Sequence, residues 1–186
     1  AFYWYHGIKA IAQQFSFPVI AKEVGCGITG TTARRLLDLG ISAVHVGGLG
    51  GTNFVLIENR RRGRYWSPLV DWGLSTPKSL LSVLGDNPGA HVCASGGIRS
   101  GVDMAKALAC GARICGIARP ILAAVETGGV KLGVRLIQQY LAQLRTAMIL
   151  VGAKNLPSLR TKPLLFDKGL WIYLQQQGLT ETWVKN

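Results

Sequence analysis

The sequence alternates between short apolar runs, most of which lead into glycine-rich loops, and longer stretches with helical features. The apolar runs cover residues 18–24, 41–46, 90–94 and 113–118. Runs of this length, bounded by Gly and Pro, are typical of buried β-strands. Because short apolar strands that alternate with helices form a parallel sheet covered by helices, the pattern predicts an α/β fold with four strands, each followed by a helical connection.

The helical stretches carry start and stop signals. Thr residues are placed to cap a helix over residues 29–39, and Gly40 is placed to end it. Ser100 is placed to cap a helix over residues 101–110, which Gly111 terminates. Further helices are predicted over residues 75–84, from Pro120 onward, and over residues 130–151, where one side carries Leu132, Leu136, Ile137, Tyr140, Leu141 and Leu144.

Four βα units are half of a (β/α)8 (TIM) barrel, whose loops after the strands gather on one face. A small doubly wound sheet would satisfy the same pattern. The sequence lacks a third Gly at the offset of a dinucleotide-binding fingerprint, and it has no P-loop motif. With 186 residues, the chain is long enough for one compact domain. Because it begins with Ala1 rather than Met, we expect it to belong to a longer protein.

Composition excludes several classes of protein. Hydrophobic residues make up 48% of the chain and charged residues 16%, which excludes a disordered chain. No uninterrupted apolar stretch reaches the roughly 18 residues of a membrane span, so we expect no membrane partner. The four cysteines form no C-x-x-C pair, so we interpret them as buried free thiols of a cytoplasmic protein, and we predict no metal site.

The net charge of +12 raises nucleic acid as a partner. Its one dense cluster is Arg60, Arg61, Arg62 and Arg64, followed by Tyr65 and Trp66. Interleaved basic and aromatic groups occur in RNA contacts. We favour a solvated loop or a clamp for small-molecule phosphates, because no nucleic-acid motif accompanies the cluster.

Two loops carry the most specific chemical signal. Residues 95–101 (SGGIRSG) join a strand to a helix, and residues 116–119 (GIAR) do the same one unit later. Glycine lets the backbone approach an anion closely, and a helix N-terminus offers unpaired N–H groups. With Arg99 and Arg119 beside these turns, the pattern predicts a phosphate-binding cradle.

The sequence resembles the C-terminal half of type 2 isopentenyl-diphosphate isomerases, which are FMN-dependent (β/α)8 enzymes. The resemblance covers nearly the whole chain from Pro18 onward. Its segments are VIAKEVGCGIT, GLGGTNF, DWGLSTPKS, ASGGIRSGVDMAKALACGA, GIARP and TAMILVGAKN. The GGIRSG segment is shared with other flavin and nucleotide barrels, but its combination with AKEVGCG, GGTNF and LVDWG is much more specific.

The resemblance implies seven cofactor-binding residues. Lys22 corresponds to a flavin-contacting lysine, and a Lys that closes an apolar strand needs an anionic partner. A salt bridge to Glu23 is a weak alternative, since successive strand residues point to opposite faces. Thr52 corresponds to a flavin-contacting threonine. The FMN phosphate is expected on two backbone segments, formed by Gly97, Ile98 and Arg99 and by Ala118 and Arg119.

Two departures from the family accompany this match. The family commonly has a small polar residue at the position of Gly47 and an acid at that of His45. The family's first half also supplies the Gln and Glu that bind substrate and Mg2+, and the basic residues that hold the diphosphate. None of the acids Glu23, Glu58, Asp71 and Asp103 matches the family's metal motif, so no catalytic or metal-binding residue is assigned to this chain.

The activity that the resemblance implies is the interconversion of isopentenyl diphosphate and dimethylallyl diphosphate with reduced FMN, NADPH as reductant and Mg2+. Residues 1–186 would form an incomplete domain, inactive alone and prone to homo-oligomerise. One alternative is another FMN-dependent barrel oxidoreductase, which would need a catalytic His after a strand, whereas His45 and His91 lie within or before strands. The other is a non-catalytic basic binding module derived from the isomerase.

Overall fold

The computed structural model describes residues 3–63 and 67–183. Within these ranges, four parallel strands form one sheet in the order β1-β2-β3-β4. The strands are β1 (Ile20–Lys22), β2 (Ala43–His45), β3 (Val92–Ser95) and β4 (Ile114–Gly116). They lie inside the four predicted runs and are shorter than those runs.

The strand order distinguishes the two predicted architectures. Within the sheet, each strand pairs only with its neighbours in chain order, so β1 and β4 have one partner each. A doubly wound sheet reverses direction at a switch point, so its order is not sequential, whereas a barrel adds each new strand beside the last. The sequential order confirms the prediction of about four βα units of a (β/α)8 barrel.

One helix precedes the first strand, and at least one helix follows every strand. The helices are α1 (Tyr3–Gln14), α2 (Gly30–Asp38), α3 (Phe54–Arg62), α4 (Thr76–Asp86), α5 (Gly101–Ala109), α6 (Arg119–Leu150), α7 (Leu156–Arg160), α8 (Lys168–Gln176) and α9 (Thr180–Trp183). The predicted caps are confirmed: the Thr29 side chain accepts a hydrogen bond from the N–H of Thr32, and that of Ser100 from the N–H of Asp103.

The helical stretch Arg119–Leu150 (α6) contains both helices predicted from Pro120 onward. It begins at Arg119, as Pro120 indicated, and Gly128 and Gly129 have non-helical backbone angles, with φ 66° and ψ −172° at Gly129. The stretch is therefore kinked into two helices at these glycines, and the second begins close to the predicted residue 130. On its predicted apolar side Tyr140 is buried, whereas Ile137 is 44% exposed. The stripe is therefore only partly covered by the described residues.

The main core lies between the sheet and the helices that follow its strands. Val44 and Val92 point from the sheet toward this layer, where they meet Leu36 of α2 and Leu80 and Val83 of α4. The opposite face of the sheet is open. There Ile20 is 54% exposed and Ile114 is 61% exposed, as expected for the interior face of an incomplete barrel. No helix in the described ranges has the length and apolar character needed to cross a membrane.

Candidate functional site

A cleft of about 740 Å³ lies at the carboxyl ends of the four strands, where (β/α)8 proteins place their chemistry. Each strand contributes the loop that follows it. All seven predicted residues line this cleft: Lys22, Thr52, Gly97, Ile98, Arg99, Ala118 and Arg119. The volume is in the range of small-molecule and cofactor sites. The structure therefore brings the seven residues together, and their contact with a ligand stays a prediction.

Unpaired backbone amides mark one side of the cleft. In the described parts of the chain, the N–H groups of Gly97, Ile98, Ala118 and Arg119 donate to no protein acceptor. Ile98 is only 6% exposed, and an unpaired N–H group at a buried residue is costly. These four donors come from two loops and lie at the beginnings of α5 and α6. The arrangement suits a phosphate, which accepts several N–H groups at once.

Arg99 contributes charge rather than a free backbone N–H. Its N–H donates to Asp103 Oδ2 at 3.0 Å, and its guanidinium donates to the Gly50 carbonyl oxygen at 2.7 Å. This second bond ties the loop after β3 to the loop after β2. The predicted backbone contact at Arg99 is therefore already used within the protein, which leaves Gly97 and Ile98 as the donors of this segment.

Glycine allows the loops after β2 and β3 to touch. A Cβ atom on Gly96 would lie 2.1 Å from the carbonyl oxygen of Gly48, and one on Gly97 would lie 3.0 Å from the carbonyl carbon of Gly50. Both Gly96 and Gly97 have positive φ angles, of 97° and 78°. Any other residue would push the two loops apart and disrupt the cradle.

Lys22 carries a positive charge without a carboxylate partner in the described structure. Its neighbour Glu23 is engaged elsewhere, since one carboxylate oxygen accepts the N–H groups of Gly25, Cys26 and Gly27 at 2.5, 2.6 and 3.1 Å. The Lys22 ammonium reaches only the carbonyl oxygen of Glu23, at 3.3 Å. The alternative of a Lys22–Glu23 salt bridge is therefore wrong. The ammonium remains available to an anion in the cleft.

His45 was not predicted as a site residue, yet it lines the cleft. It is the last residue of β2, and its Nδ1 lies 3.3 Å from Ser95 Oγ at the end of β3. Burial, and then the charge of Lys22, lower the pKa of its imidazole below the usual value. In the sequence, His45 lies inside a longer apolar run and is not marked as the end of a strand. The observed strand is shorter than that run and ends at His45.

Gly47 stands where the family commonly has a small polar residue, and the backbone conformation at this position requires glycine. Its φ is 45°, and a Cβ atom there would lie 2.2 Å from the carbonyl oxygen of Glu23. A serine at this position would collide with the backbone of Glu23, directly after β1. The loop after β2 therefore follows a path that this chain can take only with glycine.

The arginine cluster is helical, not a loop. Arg60 lies in the last turn of α3 and lines the cleft, whereas Arg61 is paired with Glu58 at 2.8 Å and Arg62 contacts the same carboxylate. Arg64, Tyr65 and Trp66, the rest of the proposed clamp or RNA contact, lie outside the described residues. Of Arg60, Arg61 and Arg62, one arginine therefore faces the cleft.

Comparisons with known proteins agree with this geometry. Residues 1–165 match the family described as FMN-dependent dehydrogenase. An isopentenyl-diphosphate delta-isomerase of Staphylococcus haemolyticus is 37% identical over 177 residues, which are 95% of this chain and 51% of that protein. One from a Geobacillus species is 39% identical over 92% of this chain and 49% of the relative. The chain thus spans about half the length of these relatives.

Solved structures share the fold. A protein described as a lactate oxidase from Pediococcus acidilactici is 26% identical, with a TM-score of 0.69 over 88% of this chain and 41% of that chain. A monotopic membrane protein, (S)-mandelate dehydrogenase, is 19% identical, with a TM-score of 0.67 over 83% of this chain and 36% of its own. In both comparisons this chain corresponds to less than half of the solved chain, so its strands and helices form one part of a larger fold.

Proposed function

Since the chain belongs to the family of FMN-dependent dehydrogenases, we propose that its cleft holds FMN and that the chain supplies the flavin half of an isopentenyl-diphosphate isomerase. The observation that carries the proposal is the set of four unpaired N–H groups at Gly97, Ile98, Ala118 and Arg119. Their residues line one cleft from the loops after β3 and β4. An anionic group of the size of a phosphate satisfies them together.

Different residues of the cleft would contact different parts of the cofactor. The two loops and Arg119 would hold the phosphate, and Lys22 and Thr52 would lie along the ring. FMN would supply a reduced ring that takes part in proton transfer to and from a bound substrate. Lys22, which has no carboxylate partner in the described structure, stabilises negative charge on that ring.

The substrate follows from the relatives named isopentenyl-diphosphate delta-isomerase. We propose isopentenyl diphosphate and dimethylallyl diphosphate, interconverted by movement of a double bond, with NADPH keeping FMN reduced. The cleft is lined by four cationic side chains, Lys22, Arg60, Arg99 and Arg119, and by one acid, Glu23. This excess of positive charge favours ligands with phosphate groups.

The described residues do not suit Mg2+. They contain no group of three or more His, Cys, Asp and Glu side chains that could hold a metal ion, and the Glu23 carboxylate already accepts three N–H groups. We therefore propose that any Mg2+ required for the diphosphate is bound by the other half of the barrel. Residues 1–186 are in this proposal one incomplete domain.

A second function has one observation in its favour. An FMN-dependent oxidase of 2-hydroxy acids would need a catalytic His after a barrel strand, and the structure places His45 at the end of β2 in the cleft. The structural resemblance to a protein described as a lactate oxidase also favours this second function. Isomerase and oxidase make different demands on the flavin, because only the oxidase changes its redox state with every turnover.

One experiment tests both functions. The chain is joined to the half of the Staphylococcus haemolyticus isomerase that it does not cover, which gives a complemented protein. We expect it to bind FMN and to convert isopentenyl diphosphate under anaerobic conditions with NADPH and Mg2+. Oxidation of lactate or mandelate without isomerisation would favour the oxidase. Absence of FMN from the purified protein, and from protein incubated with FMN, would overturn the proposed cofactor.

A further inference from the structure

The open face of the sheet carries a row of polar side chains at its carboxyl end. Lys22 of β1 is the register partner of His45 of β2, and Ser95 of β3 lies beside His45. Side chains at register partners of parallel strands point to the same face of the sheet. His45 therefore occupies the middle of the row, between a cation and a hydroxyl.

The His45 ring is held in a defined place. Its Nδ1 lies 3.3 Å from Ser95 Oγ. On the far side of the ring, a Cβ atom on Gly116 would lie 3.3 Å from His45 Nε2 and 3.1 Å from Ser95 Cβ. The ring thus extends from β2 across β3 toward β4, over a glycine whose missing side chain leaves room for it. The hydrogen-bond contact at Nδ1 and the close approach of Gly116 thus define where the ring lies in the cleft.

The neighbours of His45 disfavour a positive charge on it. From β1 it faces Lys22, from β3 it faces Cys93 and Ser95, and from β4 it faces Gly116, which has no side chain. The cleft's acid, Glu23, is committed to three backbone N–H groups. Burial and the charge of Lys22 accordingly lower the pKa of His45, and the imidazole is neutral at neutral pH.

We propose that His45 takes up a proton from solvent when negative charge enters the cleft beside Lys22, and that it is thereby a proton-linked contact to the bound cofactor. The inference rests on the proposed FMN site. An anion beside Lys22 offsets the repulsion from that ammonium, which is the second cause of the lowered pKa after burial, so the protonated form becomes more favourable. Ser95 accepts or donates the hydrogen bond at Nδ1 as the ring changes its charge, because a hydroxyl can do both.

This role is peculiar to the imidazole. A carboxylate at the same position, as the resemblance implies for relatives, would add negative charge to the row and could never become cationic. His45 instead changes the charge of the row from one positive group to two. The flavin of this protein would therefore be tuned by pH over the range in which His45 titrates.

The test is an NMR titration of the imidazoles in the complemented protein labelled with ¹³C-histidine, without FMN, with oxidised FMN and with FMN reduced by dithionite. Signals of the chain are assigned with His6→Gln, His45→Gln and His91→Gln. We expect the titration midpoint of His45 to lie below that of a free histidine without FMN and to rise by about one pH unit when FMN is reduced. His6 and His91, outside the cleft, serve as internal controls and should not move.

A second set of NMR titrations needs no cofactor. Lys22→Met removes the repelling charge, so the His45 midpoint should rise in the ligand-free protein, whereas Lys106→Met on α5 should leave it unchanged. Bound FMN with a His45 midpoint that is the same in both redox states would overturn this inference alone. If FMN does not bind at all, the proposed function fails with it, and the absorbance spectrum reports that separately.

Discussion

The hydroxyl of Thr76 lies 2.7 Å from the carbonyl oxygen of Ser95 and donates its proton into the loop that follows β3. The same hydroxyl lies 2.5 Å from the carbonyl oxygen of Gly96. Thr76 begins α4 and is 6% exposed, so a buried side chain from a different βα unit sets the position of the glycine turn. The cradle is therefore positioned from α4 as well as from its own strand and helix.

Thr76→Val keeps the shape of the side chain and removes the hydroxyl. We expect a loss of about 1–2 kcal/mol in the free energy of unfolding, because the Gly96 carbonyl oxygen loses its donor, whereas that of Ser95 keeps the N–H of Gly48. The measurement is urea unfolding followed by circular dichroism. Thr127→Val is the matched control, since the Thr127 hydroxyl only bonds back to its own helix. Equal losses in both variants would show that Thr76 does not secure the loop.

Gly97→Val should abolish most FMN binding. The side chain would enter the space occupied by the backbone of Gly50, displacing the N–H groups proposed to hold the phosphate. Loss of one or two charge-assisted hydrogen bonds corresponds to an affinity reduced on the order of tenfold or more. The complemented protein is titrated with FMN and its flavin fluorescence is followed.

Gly89→Val controls for backbone strain in that experiment. Gly89 also has a positive φ, of 85°, but a Cβ atom there would meet nothing within 4 Å. The two variants should therefore lose similar stability from strain, and only Gly97→Val should lose FMN. Normal FMN occupancy in Gly97→Val would contradict the assignment of the cradle.

Lys22→Ala should lower the midpoint potential of the bound flavin. Its ammonium has no carboxylate partner in the described structure, and a nearby positive charge stabilises the reduced ring more than the oxidised one. Spectroelectrochemical titration of the complemented protein measures the potential, with Lys106→Ala as the control. An unchanged potential together with an unchanged isomerase rate would remove Lys22 from the site.

The sequence predicted the parts of this fold that local signals determine. Thr29 and Ser100 stand at helix starts, and the caps formed as expected. The helix α3 was missed because its second half is a run of arginines with no apolar periodicity, although Asn53 caps it and Gly63 closes it in the left-handed conformation. Asn53 and Gly63 were therefore the sequence signals from which α3 could have been predicted.

The site depends more on contacts between distant segments. The seven cofactor residues came from motifs, and their convergence on one cleft required the parallel order of the strands. That Gly47 packs against Glu23 and that His45 meets Ser95 both depend on strand register. Register is set by neighbouring strands rather than by any local sequence signal.

Cys110 should make stability depend on pH in the alkaline range. Burial raises the pKa of its thiol to about 11 from 9.0. Below pH 9 the thiol is protonated in both states and contributes no difference. Between about pH 9 and 11 only the unfolded chain releases the proton, so the folded state loses stability, by about 2–3 kcal/mol in total. Urea unfolding of the wild type and Cys110→Ala across this range measures the difference, and parallel curves would refute the prediction.

The 186 residues alone should associate and show no isomerase activity. The two outer strands, β1 and β4, have one neighbour each, and the open face exposes Ile20 and Ile114. Unpaired strand edges and an uncovered apolar face favour pairing with a second copy or aggregation. A paired assembly would still lack a metal site from the described residues. Light scattering should therefore report species larger than a monomer, with no turnover of isopentenyl diphosphate even with reduced FMN and Mg2+.

Two further measurements test whether the association of the 186 residues depends on the open face of the sheet. The double variant Ile20→Lys with Ile114→Lys should associate less, because it places charge on the face, whereas Leu165→Lys, at a position 98% exposed between α7 and α8, should not. The complemented protein should be monodisperse and active, since the added strands cover the face and pair with both edges. A monodisperse, active monomer of the 186 residues alone would contradict the incomplete barrel, because such a monomer would leave the apolar face and the strand edges in water.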